Sequence, residues 1–158
     1  IIKEHRFPVG LFDMISIPES NEHYTPLYDK YGKFYLKKIS KELAELKFEK
    51  ITNKKILKNK KIQINLHNGN NLLVKKDTFK VGDTLVLKNK EILKQLKFEK
   101  GALIYLTSGR NKGKSGILEK IEKSSELGQT MITIASNNEK IVTSKKYAFV
   151  IDKEFVNE

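Results

Sequence analysis

Ten residues, Thr107 to Gly116, hold three glycines (Gly109, Gly113, Gly116) and three cations (Arg110, Lys112, Lys114) around Asn111, with no acid among them. Glycine reaches positive φ and lets the backbone approach a partner closely, so N–H groups of such a loop can face a phosphate. The cations would add charge at the same place. A nucleotide-binding P-loop would need Gly-x-x-x-x-Gly-Lys-Ser/Thr opening a helix. Here Gly109 and Gly113 are four apart, and Ile117-Leu118 reads as the start of a strand. A second concentration of charge runs from Lys47 to Lys61, with seven lysines and one acid, Glu49, in fifteen residues. Phe48, Ile51, Ile56 and Leu57 are interleaved with the lysines, which marks an ordered element and not a solvated tail. Lys54, Lys55, Lys58, Lys60 and Lys61 are its candidate polyanion contacts; Lys37, Lys38 and Arg6 complete the set.

Catalytic chemistry finds little support. His5, His23 and His67 are the only histidines, and there is no cysteine to join them at a metal. His23 with Glu22 or Asp29 is the one conceivable histidine–carboxylate site, and no nucleophile elbow is present. Asp13, Asp29 and Asp83 sit beside glycines or turns, where Asp bonds to nearby backbone. No enzyme activity, metal, cofactor or small-molecule substrate is expected. Tyr28, Tyr31, Phe34 and Tyr35 could stack bases, but are expected mostly to fill a core or brace a hairpin.

The elements that must position these residues are mostly β. A strand ending at Tyr28, a turn through Gly32 and a return strand over 34–39 form a first hairpin, followed by a short helix over 41–47 with Ser40 as N-cap. Ile62 to Leu66 alternates with period two, His67-Asn68-Gly69-Asn70 carries an Asn-Gly hairpin signal, and 72–74 returns. Further strands are expected at 84–87 and 92–98, separated by an Asn89-Lys90 turn. The last third suggests five short strands, at 102–106, from 117, at 130–135, 140–143 and 147–151, with a turn at Asn137-Asn138. Such spacing points to a small antiparallel barrel. Leu-Lys-Phe-Glu-Lys occurs at both 46–50 and 96–100, but the flanks differ and no repeat is inferred.

The chain has 158 residues, 31 Lys plus Arg against 19 Asp plus Glu, and a net charge of +12. Apart from Arg6 and Arg110 every basic residue is lysine, which binds phosphate as a point charge and not as a bidentate base reader. Residues 1–97 carry 21 basic and 11 acidic groups, and residues 98–158 carry 10 and 8. Nucleic acid is the favoured partner, ahead of an anionic membrane surface. A disulfide scaffold and a thiolate zinc module are excluded by the lack of cysteine, and no apolar run approaches the roughly 20 residues needed to span a bilayer. The chain opens on Ile1 and is expected to be a piece of something longer.

Gly101 to Leu118 resembles a KOW motif, matching at Gly101, Gly109, Lys112, Gly113, Lys114, Gly116 and Ile117. In order and spacing, the segment from Pro8 to Ile17, Leu27-Tyr28-Asp29 with Gly32-Lys33-Phe34, Lys80 to Thr84, Lys97-Phe98 and Tyr147 to Ile151 resemble the archaeal and eukaryotic (e-type) small-subunit ribosomal protein four family. The similarity runs from about residue 8 to 153. It implies a central β-rich domain followed by a KOW-type, Src-homology-like β-barrel. The expected division is 1–9 as the remnant of a preceding RNA-binding domain, with its last strand over 1–8, then 10–97, 98–153, and a tail starting at 154–158. It further implies a structural constituent of the small ribosomal subunit in the cytoplasm, binding small-subunit rRNA beside neighbouring ribosomal proteins and supporting assembly and translation. The alternative is a KOW-containing transcription elongation adaptor binding polymerase and nascent RNA. The central domain discriminates, since it matches the ribosomal family.

Overall fold

The computed structural model describes residues 4, 6–58, 61–123, 128–136 and 139–153. It is mostly β, in three antiparallel sheets. The first joins β1 (Ile15–Ile17), β2 (Glu22–Tyr28) and β3 (Phe34–Ile39) in that order. A helical turn, α1 (Lys41–Ala44), leads to the second sheet: β4 (Lys47–Ile56), β5 (Ile62–Leu66), β6 (Asn71–Val74), β7 (Thr84–Lys88) and β8 (Glu91–Leu96), ordered β6-β5-β4-β7-β8. The third holds β9 (Leu103–Leu106), β10 (Ser115–Lys123), β11 (Thr130–Ser136), β12 (Glu139–Ser144) and β13 (Ala148–Val150), ordered β12-β11-β10-β9-β13. A 3-10 turn, Lys145–Tyr147, links the last two strands.

Each five-stranded sheet curls around its own core. Ile104, Leu106, Leu118, Ile132, Ile134, Ile141, Ala148 and Val150 form one cluster drawn from all five strands of the third sheet, which makes it a half-barrel. Ile51, Ile62, Ile64, Leu66, Leu85 and Leu87 do the same for the second sheet, with Leu72, Val74 and Ile92 packed on the rim. A third cluster, Phe12, Leu27, Phe48, Val86, Tyr105, Phe149 and Ile151, lies between all three sheets. Strand alternation explains this arrangement. On β7, Leu85 and Leu87 point into one half-barrel while Val86 faces the shared core; on β9, Ile104 and Leu106 oppose Tyr105; on β13, Ala148 and Val150 oppose Phe149. Strands buried on both faces read as continuous apolar runs.

Local chemistry sets the connections. Asp29 Oδ1 accepts from Tyr31 N–H at 2.9 Å and Lys33 N–H at 2.8 Å, closing the β2–β3 hairpin. Asp13 Oδ2 accepts from Gly10 N–H at 2.7 Å. Asp83 is buried and accepts from Lys80 N–H, Phe98 N–H and Gln95 Nε2, tying the turn before β7 to the segment after β8. All three aspartates therefore serve backbone turns, as their positions suggested. Ser40 Oγ accepts from Leu43 N–H and caps α1. The expected helix to residue 47 stops at Ala44, because β4 already begins at Lys47 and carries Phe48 into the shared core.

Other expected bounds shift. The strand over 92–98 is Glu91–Leu96, since Phe98 N–H is taken by Asp83. The run 102–106 pairs only from Leu103, and 147–151 contributes only Ala148–Val150, its start being held in the 3-10 turn. β1 was not anticipated. No strand forms at Glu4 or at 6–8, against the expected strand over 1–8, whose other residues lie outside the described ones. The Asn137-Asn138 turn also lies outside them, although Ser136 and Glu139 are paired. The two copies of Leu-Lys-Phe-Glu-Lys differ: the first enters β4, and the second leaves β8 for a turn.

Candidate nucleic-acid interface

The glycine-rich loop connects β9 to β10 and is held from within. Gly113 N–H donates to the Leu106 carbonyl at 2.7 Å, Lys112 N–H to Gly109 at 3.3 Å and Lys114 N–H to Asn111 at 3.2 Å. These three N–H groups are therefore committed within the loop; those of Ser108, Gly109, Arg110 and Asn111 make no backbone hydrogen bond among the described residues. Gly109 and Gly113 have φ of +83° and +87°. A Cβ on Gly113 would overlap the Asp29 carbonyl oxygen of the β2–β3 turn, so the loop is docked on that hairpin. Gly116 serves a different purpose. Its φ is ordinary, and a Cβ there would overlap the Ala135 carbonyl on β11.

The loop cations are not equivalent. Arg110 is exposed and has no partner among the described residues. Lys112 lies along Gly32, with Nζ 4.9 Å from the Tyr28 ring centroid, a cation–π contact that holds the loop against the hairpin. Lys114 pairs with Glu139 at 3.2 Å. Asn111 is half-buried and turns the loop through its carbonyl.

The lysine-rich run is the β4–β5 hairpin, as its interleaved apolar residues implied. Lys54 turns inward, pairs with Asp77 and donates to the Phe79 carbonyl, so it is a structural cation. Lys55, Lys58 and Lys61 are exposed at or near the hairpin tip, and Lys60 lies outside the described residues. On β3, Lys38 Nζ meets Glu22 Oε1 at 2.7 Å; the hydrogen bond lowers the Glu22 pKa and raises that of Lys38. Lys37 is half-buried, and Arg6 is exposed. The structure thus leaves Arg6, Lys55, Lys58, Lys61 and Arg110 as outward-facing cations, three of them at the β4–β5 hairpin tip.

One feature escaped the sequence. Lys50, within the lysine run, is mostly buried and donates to the carbonyls of Ala148 at 2.6 Å, Lys146 at 2.9 Å and Lys145 at 3.3 Å. Burial, aided by the Lys145 charge, pushes its pKa down to about 8, while the carbonyls favour the ammonium. Strand parity with Phe48 was the available signal. The aromatic residues of the first hairpin divide: Tyr28 packs on the core and Phe34 braces the hairpin against it, as expected, whereas Tyr31 projects. Phe34 meets the Tyr28 ring edge-on at 5.6 Å; Tyr31, Phe34 and Tyr35 are 76%, 53% and 43% exposed. β3 is an edge strand with little of its own surface covered.

Among the described residues no group of three or more His, Cys, Asp or Glu could hold a metal ion, and no helix is long and apolar enough to cross a membrane.

Comparison with known proteins follows the same lines. The family described as Ribosomal family S4e matches residues 20–92. The small ribosomal subunit protein eS4 of Archaeoglobus fulgidus is 36% identical over 154 residues, covering 96% of this chain and 64% of the relative. Its counterpart in Methanothermobacter thermautotrophicus is 38% identical over 155 residues, with the same coverage of 96% and 64%. The chain therefore spans a little under two thirds of the length of these curated relatives. The crystal structure of the 30S ribosomal protein S4e from Thermoplasma acidophilum superposes with a TM-score of 0.81 at 30% identity, covering 95% of this chain and 76% of that one. Shared sequence along nearly the whole chain, and a shared fold, place it plainly: the chain belongs to the ribosomal S4e family.

Proposed function

We propose that this chain is part of a structural, non-catalytic constituent of the small ribosomal subunit, which binds rRNA through the β4–β5 lysine hairpin and the β9–β10 loop. The observation that carries this is family membership along almost the whole chain, joined to a net charge of +12 displayed on rigid hairpins. Lysine-dominated surfaces suit folded RNA, which is recognised mainly by shape, sugar and phosphate. Arg6, Lys55, Lys58, Lys61 and Arg110 are the contacts assigned first; Lys37 and Lys60 are kept from the sequence. Lys38, Lys54, Lys112 and Lys114 act chiefly by holding the hairpins in place. Neighbouring ribosomal proteins are the further partners, in the cytoplasm. We divide the chain into a central unit, 10–97, and a half-barrel unit, 98–153, flanked by 1–9 and 154–158. In support, no strand of β1–β8 pairs with β9–β13 among the described residues. Nothing in the relatives favours the transcription adaptor.

Ultraviolet crosslinking in cells, with sequencing of the attached RNA, tests this. Reads concentrated on a few segments of small-subunit rRNA are expected. Reads spread over nascent transcripts, with rRNA at background, would overturn it. In vitro, engagement of roughly 6–10 phosphates would lower affinity by about three to five orders of magnitude between 50 and 200 mM salt.

A further inference from the structure

The sheet that carries the lysine hairpin has a second face, turned away from its core. On the inner face Ile62, Ile64, Leu72 and Val74 pack together, so the residues alternating with them point outward. Strand register sets the outward residues of β4, β5 and β6 in two rows: Asn53, Asn65 and Asn71 in one, Lys55, Gln63 and Leu73 in the next. Asparagine is depleted in strands, because its short polar side chain packs poorly on a pleated surface and competes for backbone bonds. Three of them aligned in one row call for a reason other than strand stability. Asn53, Lys55, Asn71 and Leu73 are exposed, and Gln63 and Asn65 are half-buried. Asn53 Oδ1 accepts from Lys54 N–H at 2.8 Å, and Gln63 Nε2 donates to Asn65 Oδ1 at 3.4 Å. The amide NH2 groups of Asn53 and Asn65, the Gln63 carbonyl, the whole Asn71 amide and the Lys55 ammonium have no partner among the described residues. Neither row holds an acid or an aromatic ring, and Asp77, beyond β6, is already paired with Lys54. Lys58 and Lys61 near the tip, and Lys75 directly after β6, are exposed at the border.

A phosphate oxygen only accepts, and lysines suffice for it. Amides both donate and accept, so a row of them matches groups that do the same. The ribose 2′-hydroxyl is such a group, and an A-form RNA helix displays it along a wide, shallow minor groove. Three strands at their usual spacing give a face about 10 Å across, suited to a shallow groove and too broad for a deep, narrow one. With no ring to stack on, the face offers little to the splayed bases of a single strand. We infer that the outer face of β4, β5 and β6 lies in the minor groove of an RNA double helix, where the amides of Asn53, Gln63, Asn65 and Asn71 bond to 2′-hydroxyls and Lys55 meets a bordering phosphate. The inference rests on the RNA-binding function proposed above and adds to it the form of the RNA and the atoms recognised.

Three duplexes of one sequence and about 16 base pairs test it by fluorescence anisotropy at a single salt concentration. They are RNA, RNA with every 2′-hydroxyl methylated, and DNA. Methylation keeps the A-form helix and its phosphates but removes each hydroxyl donor. Unmodified RNA should bind roughly 10-fold or more tightly than the other two, each lost hydrogen bond being worth about 2- to 12-fold. Asn53→Val with Asn71→Val removes two amides while favouring the strand. Its affinity for RNA should fall by a similar factor per amide, with the salt slope unchanged because no charge is lost. Asn71→Val alone, at a side chain bonded to nothing among the described residues, should show the loss without any drop in melting temperature. Lys55→Ala should instead weaken all three duplexes alike and lower the slope. Equal binding of unmodified and methylated RNA, tighter binding of the single strand, or no loss on RNA in the asparagine variants would overturn the minor-groove assignment while leaving RNA binding intact. Failure of the wild-type chain to bind any RNA would instead overturn the parent function.

Discussion

Arg110 and Lys54 carry the same charge in the sequence and opposite duties in the structure. Arg110 stands in solvent without a partner among the described residues, whereas Lys54 is tied to Asp77 and the Phe79 carbonyl. Arg110→Ala should lower rRNA affinity and reduce the slope of log affinity against log salt by about 0.9, the value for one duplex phosphate. Lys54→Ala should leave that slope unchanged and lower the melting temperature instead. Equal slopes in Arg110→Ala and wild type would remove the loop from the interface. Lys50 behaves differently from both. With its folded pKa near 8, below the ordinary lysine value of about 10.4, the unfolded chain binds the extra proton between those limits. Stability should therefore rise as pH increases from about 8 toward 10, and the full cost of burying the charge is felt below 8. NMR of the unmodified, isotope-labelled lysine side chains should show one site titrating near 8 that vanishes in Lys50→Met. No such signal would mean that the three carbonyls outweigh burial. Charge density was legible in the sequence, but the division of lysines into outward and inward was not, because it depends on acids and carbonyls that folding brings together.

Hairpins and loops set how these residues are presented. The β9–β10 loop keeps its shape because Gly113 adopts positive φ against the Asp29 carbonyl, a place where any side chain must displace the β2–β3 turn. Gly113→Ala should cost at least about 1–2 kcal/mol from backbone conformation alone, lowering the melting temperature by roughly 2–8 °C for a chain of this size. It should weaken RNA binding even though no charge is lost. A variant melting like wild type would show that the two hairpins are not docked. The turn chemistry was readable in advance: Ser40, the Asn68-Gly69 pair and the three aspartates do what their types and positions implied. Tyr28 and Phe34 brace the hairpin as their types implied, while Tyr31 projects from the turn beside β3, a strand at the edge of its sheet.

Across the whole molecule, mostly-β architecture followed from the short apolar runs and their turns. What those runs could not reveal is that β7, β9 and β13 bury both faces, one into a half-barrel and one into a core shared by all three sheets. Phe149 sits in that shared core, stacked on Phe12 with centroids 4.4 Å apart. Phe149→Ala should cost about 3–5 kcal/mol, and calorimetry should show one unfolding transition moved downward as a unit. Two transitions, with only one displaced, would mean that the half-barrels fold separately. The two-faced strands also govern how much sequence change the molecule can absorb. Adding or deleting one residue within β7, β9 or β13 would swap inner for outer side chains in two cores at once. The β4–β5 tip, by contrast, can lengthen, shorten or change its lysines without touching either core. A saturation library selected for folding should accordingly retain almost no single-residue indels in those three strands and many at the tip, which leaves the lysine-rich hairpin free to vary while its support stays fixed.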